Sequence, residues 1–497
     1  MQRIRIEQKE VEVMEIKLSA GSNAPARLIP CCMEQQPYTE HLAADLARLV
    51  RDMTDSGEFS PKFGNSQVIT TTVDNPRHII LMGLGKAEEF TVEKARRIAG
   101  KAAKEARKLK CPQLDIPLAG FGTALPPREL AGALTEGGLL AAYKFDKYVS
   151  ERKESSLREV TLVWAGEDVA TGVEEGKTLA EATNLARSLA DEPANVLTPA
   201  QLAAEAERAG EKYGFAVTVR DEAGIRALGM EAFLTVAKAS DNPPRLIVME
   251  YRGNPDSEEV LALVGKGLTY DSGGLCLKTP QGMTGMKGDM AGAAAVIGAM
   301  AAISARKLRV NAVGVVAACE NMLSGRAYKP GDIIGTMSGK TIEVLNTDAE
   351  GRITLADAVY YAVSKEKATR VVDIATLTGA AIVALGNIAT AVLANDDDFF
   401  ARLQQAADRA GERIWRLPHD EEYKELLKSE VADIRNTSIK GAGTITGGLF
   451  VRAFVQDKPW LHLDIAGTAW TDKEGDYHPK GATGVGVRTL YHLARML

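Results

Sequence analysis

Apolar and polar positions along this chain recur at two periods, and the way they alternate sketches its organisation. Over residues 1 to about 168, strand-like runs are interleaved with helical spacings. The opening MQRIRIEQKEVEVMEIKL alternates at strand period, and Arg77–Met82 and Val160–Val163 read as strands. Ala95, Ile98, Ala99, Ala102, Ala106 and Leu109 recur at helical spacing and predict a helix from about Thr91 to Leu109. A polar, glycine-containing stretch from Gly166 to Lys177 marks a boundary, and a helix is predicted from about Thr178 to Ala190. The prolines of DEPANVLTP, Asp191–Pro199, then stop one helix, and Thr198 caps the next. From Val260 onward, runs at Val260–Val264, Leu308–Ala317, Thr341–Leu345, Arg370–Ile374 and Trp460–Ile465 alternate with Ala-rich helices, the most apolar being Ala291–Ile303. The pattern predicts an α/β protein of two domains. A smaller N-terminal α/β domain spans 1–168, and a C-terminal α/β/α domain around a mixed, largely parallel sheet spans 169–497.

Composition narrows the class. A chain of 497 residues is too long for one ordinary core, and 45% hydrophobic with 25% charged residues is the balance of a soluble globular protein. The net charge of −6, without a like-charge block, gives no general reason to expect nucleic acid. No run approaches the roughly 18 apolar residues that cross a bilayer, and the N-terminus lacks a signal-type apolar stretch, so no membrane partner is expected. Five scattered cysteines form no CxxC knuckle or disulfide framework, which places the chain in a reducing cytoplasm. The helix near residue 100 carries Lys94, Arg96, Arg97, Lys101, Lys104, Arg107, Lys108 and Lys110. These form either a solvated face or, with no aromatics interleaved, a weak nucleic-acid or partner face. The run MGLGK at Met82–Lys86 lacks the third glycine of a dinucleotide loop, and a tight turn that needs glycine explains it more cheaply.

The chemistry gathers after two strands, where ligands of open α/β sheets collect. VGKGLTYDSGGLCLKTPQGMTGMKGDMAGAAA, from Val264 to Ala295, places Lys266, Asp271, Lys278 and Asp289 in a glycine-rich loop. VLNTDAEGRITLADA, from Val344 to Ala358, places Asp348, Glu350 and Arg352 beyond another strand, where an extended backbone would point all three one way. Converging carboxylates repel unless positive charge sits among them. Lysines could supply it, as an ordinary salt-bridged cluster, or divalent cations could, since oxygen donors suit magnesium, manganese or zinc. None of the six histidines shows paired metal spacing, and His462, in an apolar strand, reads as a satisfied core histidine. No GxSxG elbow supports a serine nucleophile.

VGKGLTYDSGG, MKGDMAGAAAV, NTDAEGRITLADA, DEPANVLTP, ENMLSGRAYKPGDI and WLHLDIAGTAW together resemble the leucyl aminopeptidase (cytosol aminopeptidase) family from about residue 180 to the end. Before that, only GLGK and YKFDKY look familiar, and the pair Gly447-Gly448 departs from the alanines expected there.

The resemblance implies two divalent metal ions per chain, manganese or zinc, with Asp271 and Glu350 bridging, Asp289 and Lys266 completing one site and Asp348 the other. It implies catalytic roles for Lys278, as oxyanion donor, and Arg352, as anchor of a bicarbonate ion. It also implies a pocket for leucine-like side chains lined by Met286, Thr376, Leu377, Gly379 and Ala466, although Met286 and Leu377 are equally explained as core. Peptide substrates, a homohexamer and release of N-terminal residues follow as expectations of the resemblance. The competing classes are a DNA-binding or scaffolding protein, favoured only by the basic helix, and a phosphate-transferring enzyme, disfavoured by the missing P-loop.

Overall fold

The apolar runs pair into two separate sheets. The computed structural model describes residues 14–497 apart from 22, 73, 74, 153, 167 and 439. The chain divides into two units, Met1–Glu181 with Lys473–Pro479, and Ala182–Asp472 with Lys480–Leu497.

In the first unit, six strands lie in the order Glu15–Ser19, Glu159–Val163, Gln113–Pro117, Ala26–Cys32, His78–Gly85 and Ser66–Thr70. All pairings are parallel except the last. The strand-like alternation read in residues 1–13 lies outside the described residues. The predicted helix forms as Val92–Lys108, with the Thr91 hydroxyl accepting from the Lys94 amide. Its apolar stripe is buried, as the periodicity requires, but its basic face is not simply solvated. Arg96, 2% exposed, pairs with Glu136 at 2.8 Å, and Arg97 with Asp476 at 2.7 Å. Lys104 pairs with Glu474 at 2.5 Å, and Arg107 donates to the Ala141 carbonyl at 2.6 Å. Most of that charge has an acceptor or acidic partner within the unit.

The GLGK run is no phosphate turn either. Gly83 lies inside a buried strand, where a Cβ would sit 2.2 Å from the Lys62 carbonyl oxygen, and Gly85 ends that strand at φ +74°. The helix expected from Thr178 begins earlier, spanning Ala170–Asp191, so most of the polar stretch before it is helical.

The second unit is built on an eight-stranded sheet. Its order is Ile414–Arg416, Thr390–Ala394, Trp460–Asp464, Arg370–Ala375, Leu261–Asp271, Asn311–Asn321, Arg245–Arg252 and Ala216–Arg220. The four central strands run parallel, so their C-terminal ends share one edge. The Thr341–Leu345 run does not join them. Only Thr341–Glu343 is a strand, and it pairs in a small three-stranded sheet with Ile333–Gly335 and Ile434–Arg435. On one side of the main sheet packs the helix Ala291–Ala305, whose residues are almost all buried, as its unbroken apolar run implies.

That helix meets the strands backbone to backbone. A Cβ at Gly292 would lie 2.1 Å from the Ile374 carbonyl oxygen, and one at Gly265 2.6 Å from Ala293 Cα. Backbone cannot swing aside as a side-chain tip can, so Gly292→Ala must push helix and sheet apart. We expect a destabilisation of about 1–3 kcal/mol, in the range of overpacked cores, read as a lower melting temperature in calorimetry. An unchanged melting temperature would show that the contact relaxes freely.

Candidate metal centre

Lys266 lies in mid-strand, yet it reaches the mouth of the sheet. Its strand, Leu261–Asp271, outruns the neighbouring Arg370–Ala375, with Gly265 paired to Ile374, so Lys266 stands at the neighbour's end. Asp271 is five residues further on, and an unbroken pleat would put it on the opposite face. A bulge corrects this: Leu268 pairs with Cys319 and Tyr270 with Glu320, leaving Thr269 as the extra residue. Lys266 and Asp271 thus face the same cluster from strand positions, not from the loop expected for them.

The loop that follows carries Lys278 and Asp289. Gly273 and Gly274 adopt φ +87° and +63°, which side chains rarely do, and a Cβ on Gly273 would fall 2.8 Å from Asp348 Oδ1. Asp348, Glu350 and Arg352 arrive differently from the extended segment their spacing suggested. Glu350 is the first residue of the helix Glu350–Ser364, and Arg352 lies in its first turn. A helix start favours a carboxylate at that place, because its free amides and dipole present positive charge.

These segments bring four carboxylates against two ammonium groups. Lys266 Nζ lies 2.8 Å from Asp289 Oδ2 and 2.9 Å from Glu350 Oε1, and donates to the Thr376 carbonyl at 3.0 Å. Lys278 Nζ lies 2.8 Å from Asp271 Oδ2 and 2.5 Å from Asp348 Oδ1. Asp271, Asp348 and Glu350 each offer an oxygen within 4.8 Å of the others, and Glu350 Oε2 is buried without a hydrogen-bond partner.

The charge does not balance, and the carboxyl groups register it. Burial pushes Asp289 up to about 8, with Lys266 opposing and Asp271 and Glu350 adding repulsion. Burial and the Glu350 charge raise Asp271 to about 6. Glu350 itself is held below its usual value, because Lys266 and Lys278 outweigh its burial. Both lysines are raised: burial alone would lower them, but the facing carboxylates overcome it. An orphaned carboxylate oxygen, surplus negative charge and a donor set of carboxylate oxygens with one amine fit hard or borderline divalent cations.

Arg352 forms no ion pair with its helix neighbour Asp357. Asp357 accepts instead from the Phe233 and Met337 amides, at 3.0 and 2.8 Å. Arg352, 5% exposed, donates through Nη1 to the Asn436 carbonyl at 3.0 Å, and its Nε is buried without a partner. Burial lowers its pKa to about 10, so it remains a cation with donors to spare.

Of the proposed pocket residues, Thr376 joins the cluster directly, its hydroxyl donating to Asp289 Oδ1 at 2.8 Å. Leu377 and Ala466 both donate their amides to Asp464 Oδ1, each at 3.1 Å. Gly379 starts the helix Gly379–Leu385, and Met286 lies in the short turn before Asp289. His462 is a core histidine, but only half satisfied: Nδ1 lies 2.5 Å from Asp373, and Nε2 is buried without a partner.

Asn321 and Asn436 were not legible beforehand. Asn321 donates to Asp271 Oδ1 at 2.8 Å and to the Thr347 carbonyl at 3.0 Å. Asn436 accepts from the amides of Leu345 and Asn346 while its carbonyl holds Arg352. The one usable signal was for Asn321, which ends a buried strand beside the motif-bearing one.

A two-unit α/β enzyme with a carboxylate–lysine cluster at the C-terminal edge of a parallel sheet is the class defined so far. The chain belongs to the cytosol aminopeptidase family. The family's catalytic-domain model matches residues 184–491, and its N-terminal-domain model matches 33–152. A probable cytosol aminopeptidase of Clostridium perfringens is 50% identical over 489 residues, covering 96% of this chain and 98% of that one. A tomato leucine aminopeptidase mutant matches with a TM-score of 0.89 at 34% identity, covering 99% of this chain and 98% of that one. The bottromycin maturation enzyme BotP in complex with Mn matches at 0.85 and 33% identity, covering 95% and 99%. The chain is therefore a hydrolase, an aminopeptidase. Among the described residues no helix is long and apolar enough to cross a membrane.

The raised pKa values set the pH dependence of cation binding. If Asp289, Asp271 and Lys266 hold a cation, they must first shed their protons to donate lone pairs. Manganese affinity should accordingly fall as pH drops from 8 towards 6, and binding at pH 7 should release protons. Calorimetric titration in two buffers of different ionisation enthalpy measures that release directly. Proton-neutral, pH-independent binding would place the ion elsewhere.

Proposed function

We propose that this aminopeptidase is metal-dependent and removes leucine-like N-terminal residues. The observation that carries the reading is the uncompensated cluster: four carboxylates meet two lysines, and a buried Glu350 oxygen has no partner. Asp271, Glu350, Asp289, Lys266 and Asp348 would hold two divalent ions, with Asp271 and Glu350 placed to serve both. Asp289 and Lys266 would complete one site, and Asp348 the other. When bound, such ions make a shared water nucleophilic near neutral pH and polarise the scissile carbonyl. The Mn complex of BotP supports manganese as the first ion to try, with zinc as the alternative.

The chain's own groups do the rest. Lys278, the less buried of the two lysines, keeps its proton and donates to the oxygen on which negative charge develops. Arg352, with free donors in a buried place, holds an anion; for this family the fitting one is bicarbonate, whose chemistry there is that of a general base. Met286, Thr376, Leu377, Gly379 and Ala466 line the side-chain pocket. Residues 1–168 contribute no catalytic group and serve access or assembly, since every ligand candidate lies at residue 266 or beyond. A hexamer in the cytoplasm is the working form we expect, to be checked by sedimentation.

Hydrolysis of leucine p-nitroanilide by metal-stripped protein, reloaded with manganese or zinc, tests the reading; failure of both ions to restore turnover would refute it. Substitutions separate the roles. Glu350→Ala should lose metal and activity together. Lys278→Ala should keep its metal while turnover falls roughly 10²–10³-fold, the cost of a lost oxyanion donor. Arg352→Ala should keep its metal and lose any stimulation by bicarbonate. Metal analysis of the same samples decides: if these last two empty the sites as Glu350→Ala does, they are counter-charges and not catalytic groups.

A further inference from the structure

The segment Thr376–Gly379, just past the strand Arg370–Ala375, is gripped from two sides. On one side Thr376 belongs to the ligand cluster, donating its hydroxyl to Asp289 at 2.8 Å and accepting from Lys266 on its carbonyl at 3.0 Å. On the other side stands Asp464, the last residue of the strand Trp460–Asp464 and 1% exposed. Its Oδ1 accepts from the amides of Leu377 at 3.1 Å, Thr378 at 3.4 Å and Ala466 at 3.1 Å. Its Oδ2 accepts from the Thr378 hydroxyl at 2.6 Å. That hydroxyl in turn caps the helix Gly379–Leu385 through the Ala381 amide, at 3.2 Å.

Asp464 faces no lysine or arginine at ion-pair distance among the described residues; amides and a hydroxyl carry its charge. Four donors on one carboxylate exceed what an asparagine's single oxygen can accept. A charged acceptor makes each of these bonds stronger than a neutral one would. Both backbone pieces that Asp464 holds carry proposed pocket residues, Leu377 from one strand end and Ala466 from the next.

We propose that Asp464 is a positioning residue for substrate selection. It fixes the wall formed by residues 377–379 and 466 at a set distance from the metal ligands, touching neither substrate nor ion. The inference rests on the aminopeptidase pocket described above. Loosening this wall costs a large apolar side chain its fit, while an alanine, which barely reaches the wall, loses little.

The test uses full-length, manganese-loaded enzyme and two anilides, of leucine and of alanine, with metal content measured on each sample. Asp464→Asn removes acceptor capacity at constant shape. Thr378→Val removes the hydroxyl that reaches Oδ2, and Thr378→Ser keeps it. We expect Asp464→Asn and Thr378→Val to raise KM for the leucine substrate roughly tenfold, the scale of a lost charge-assisted bond. Metal content and kcat should stay near wild type, the leucine-over-alanine preference should shrink, and Thr378→Ser should retain both KM and preference. Should Asp464→Asn fail to fold, Thr378→Val decides alone. The proposal is overturned if both variants keep the wild-type KM and preference, or if kcat and metal content fall while KM holds. Wild-type protein without metal-restored leucine anilide hydrolysis would overturn the aminopeptidase pocket itself, and this inference with it.

Discussion

Four carboxylates crowded into a largely buried cluster, with only two ammonium groups among them, are the constraint on which this site depends. Left alone, such an arrangement repels itself, and burial magnifies the repulsion. The fold holds it by force of architecture. A bulged strand carries Lys266 and Asp271, a glycine-rich loop returns Lys278 and Asp289, and a helix start presents Glu350. Lys266 and Lys278 act as internal counter-ions, while burial, with repulsion from the neighbouring carboxylates, holds Asp289 and Asp271 above their usual range. A cation completes such a cluster more fully than protons do, because it satisfies several oxygens at once.

The same constraint explains the rigid surroundings. A helix packed on the sheet at backbone contact, with Gly292 against Ile374, fixes the segment bearing Asp289. Asn321, Asn436 and Asp464 tie the loop backbones to one another through side-chain bonds that span 26 to 91 residues of sequence. Carboxylates that repel one another stay in place only if their backbones cannot retreat, and these polar ties prevent it.

Much of this was legible in the sequence, for identifiable reasons. The buried strands and the helix Ala291–Ala305 follow from apolar runs that no other element explains. The ligand candidates follow from acidic residues beyond strand ends, and their resemblance to a known family supplied roles that spacing alone left open. What failed was local geometry. Asp348, Glu350 and Arg352 converge through a turn and a helix start, not through strand alternation. Lys266 and Asp271 converge through a bulge whose extra residue, Thr269, nothing in the pattern announces. Asn436 was invisible because its partners are distant in sequence, and Asn321 offered only its place at the end of a buried strand. The ion pairs of the basic helix were hidden in the same way, since Glu136, Glu474 and Asp476 come from elsewhere in the chain.

The most direct test is the divalent metal content of the active enzyme, taken by elemental analysis on the fractions whose leucine anilide hydrolysis is measured. Two ions per chain, leaving together with turnover on dialysis against a strong chelator, are expected from a cluster that its own lysines cannot neutralise. Full turnover in protein holding only a trace of divalent metal would contradict it, and would make the carboxylates and lysines a salt-bridged scaffold.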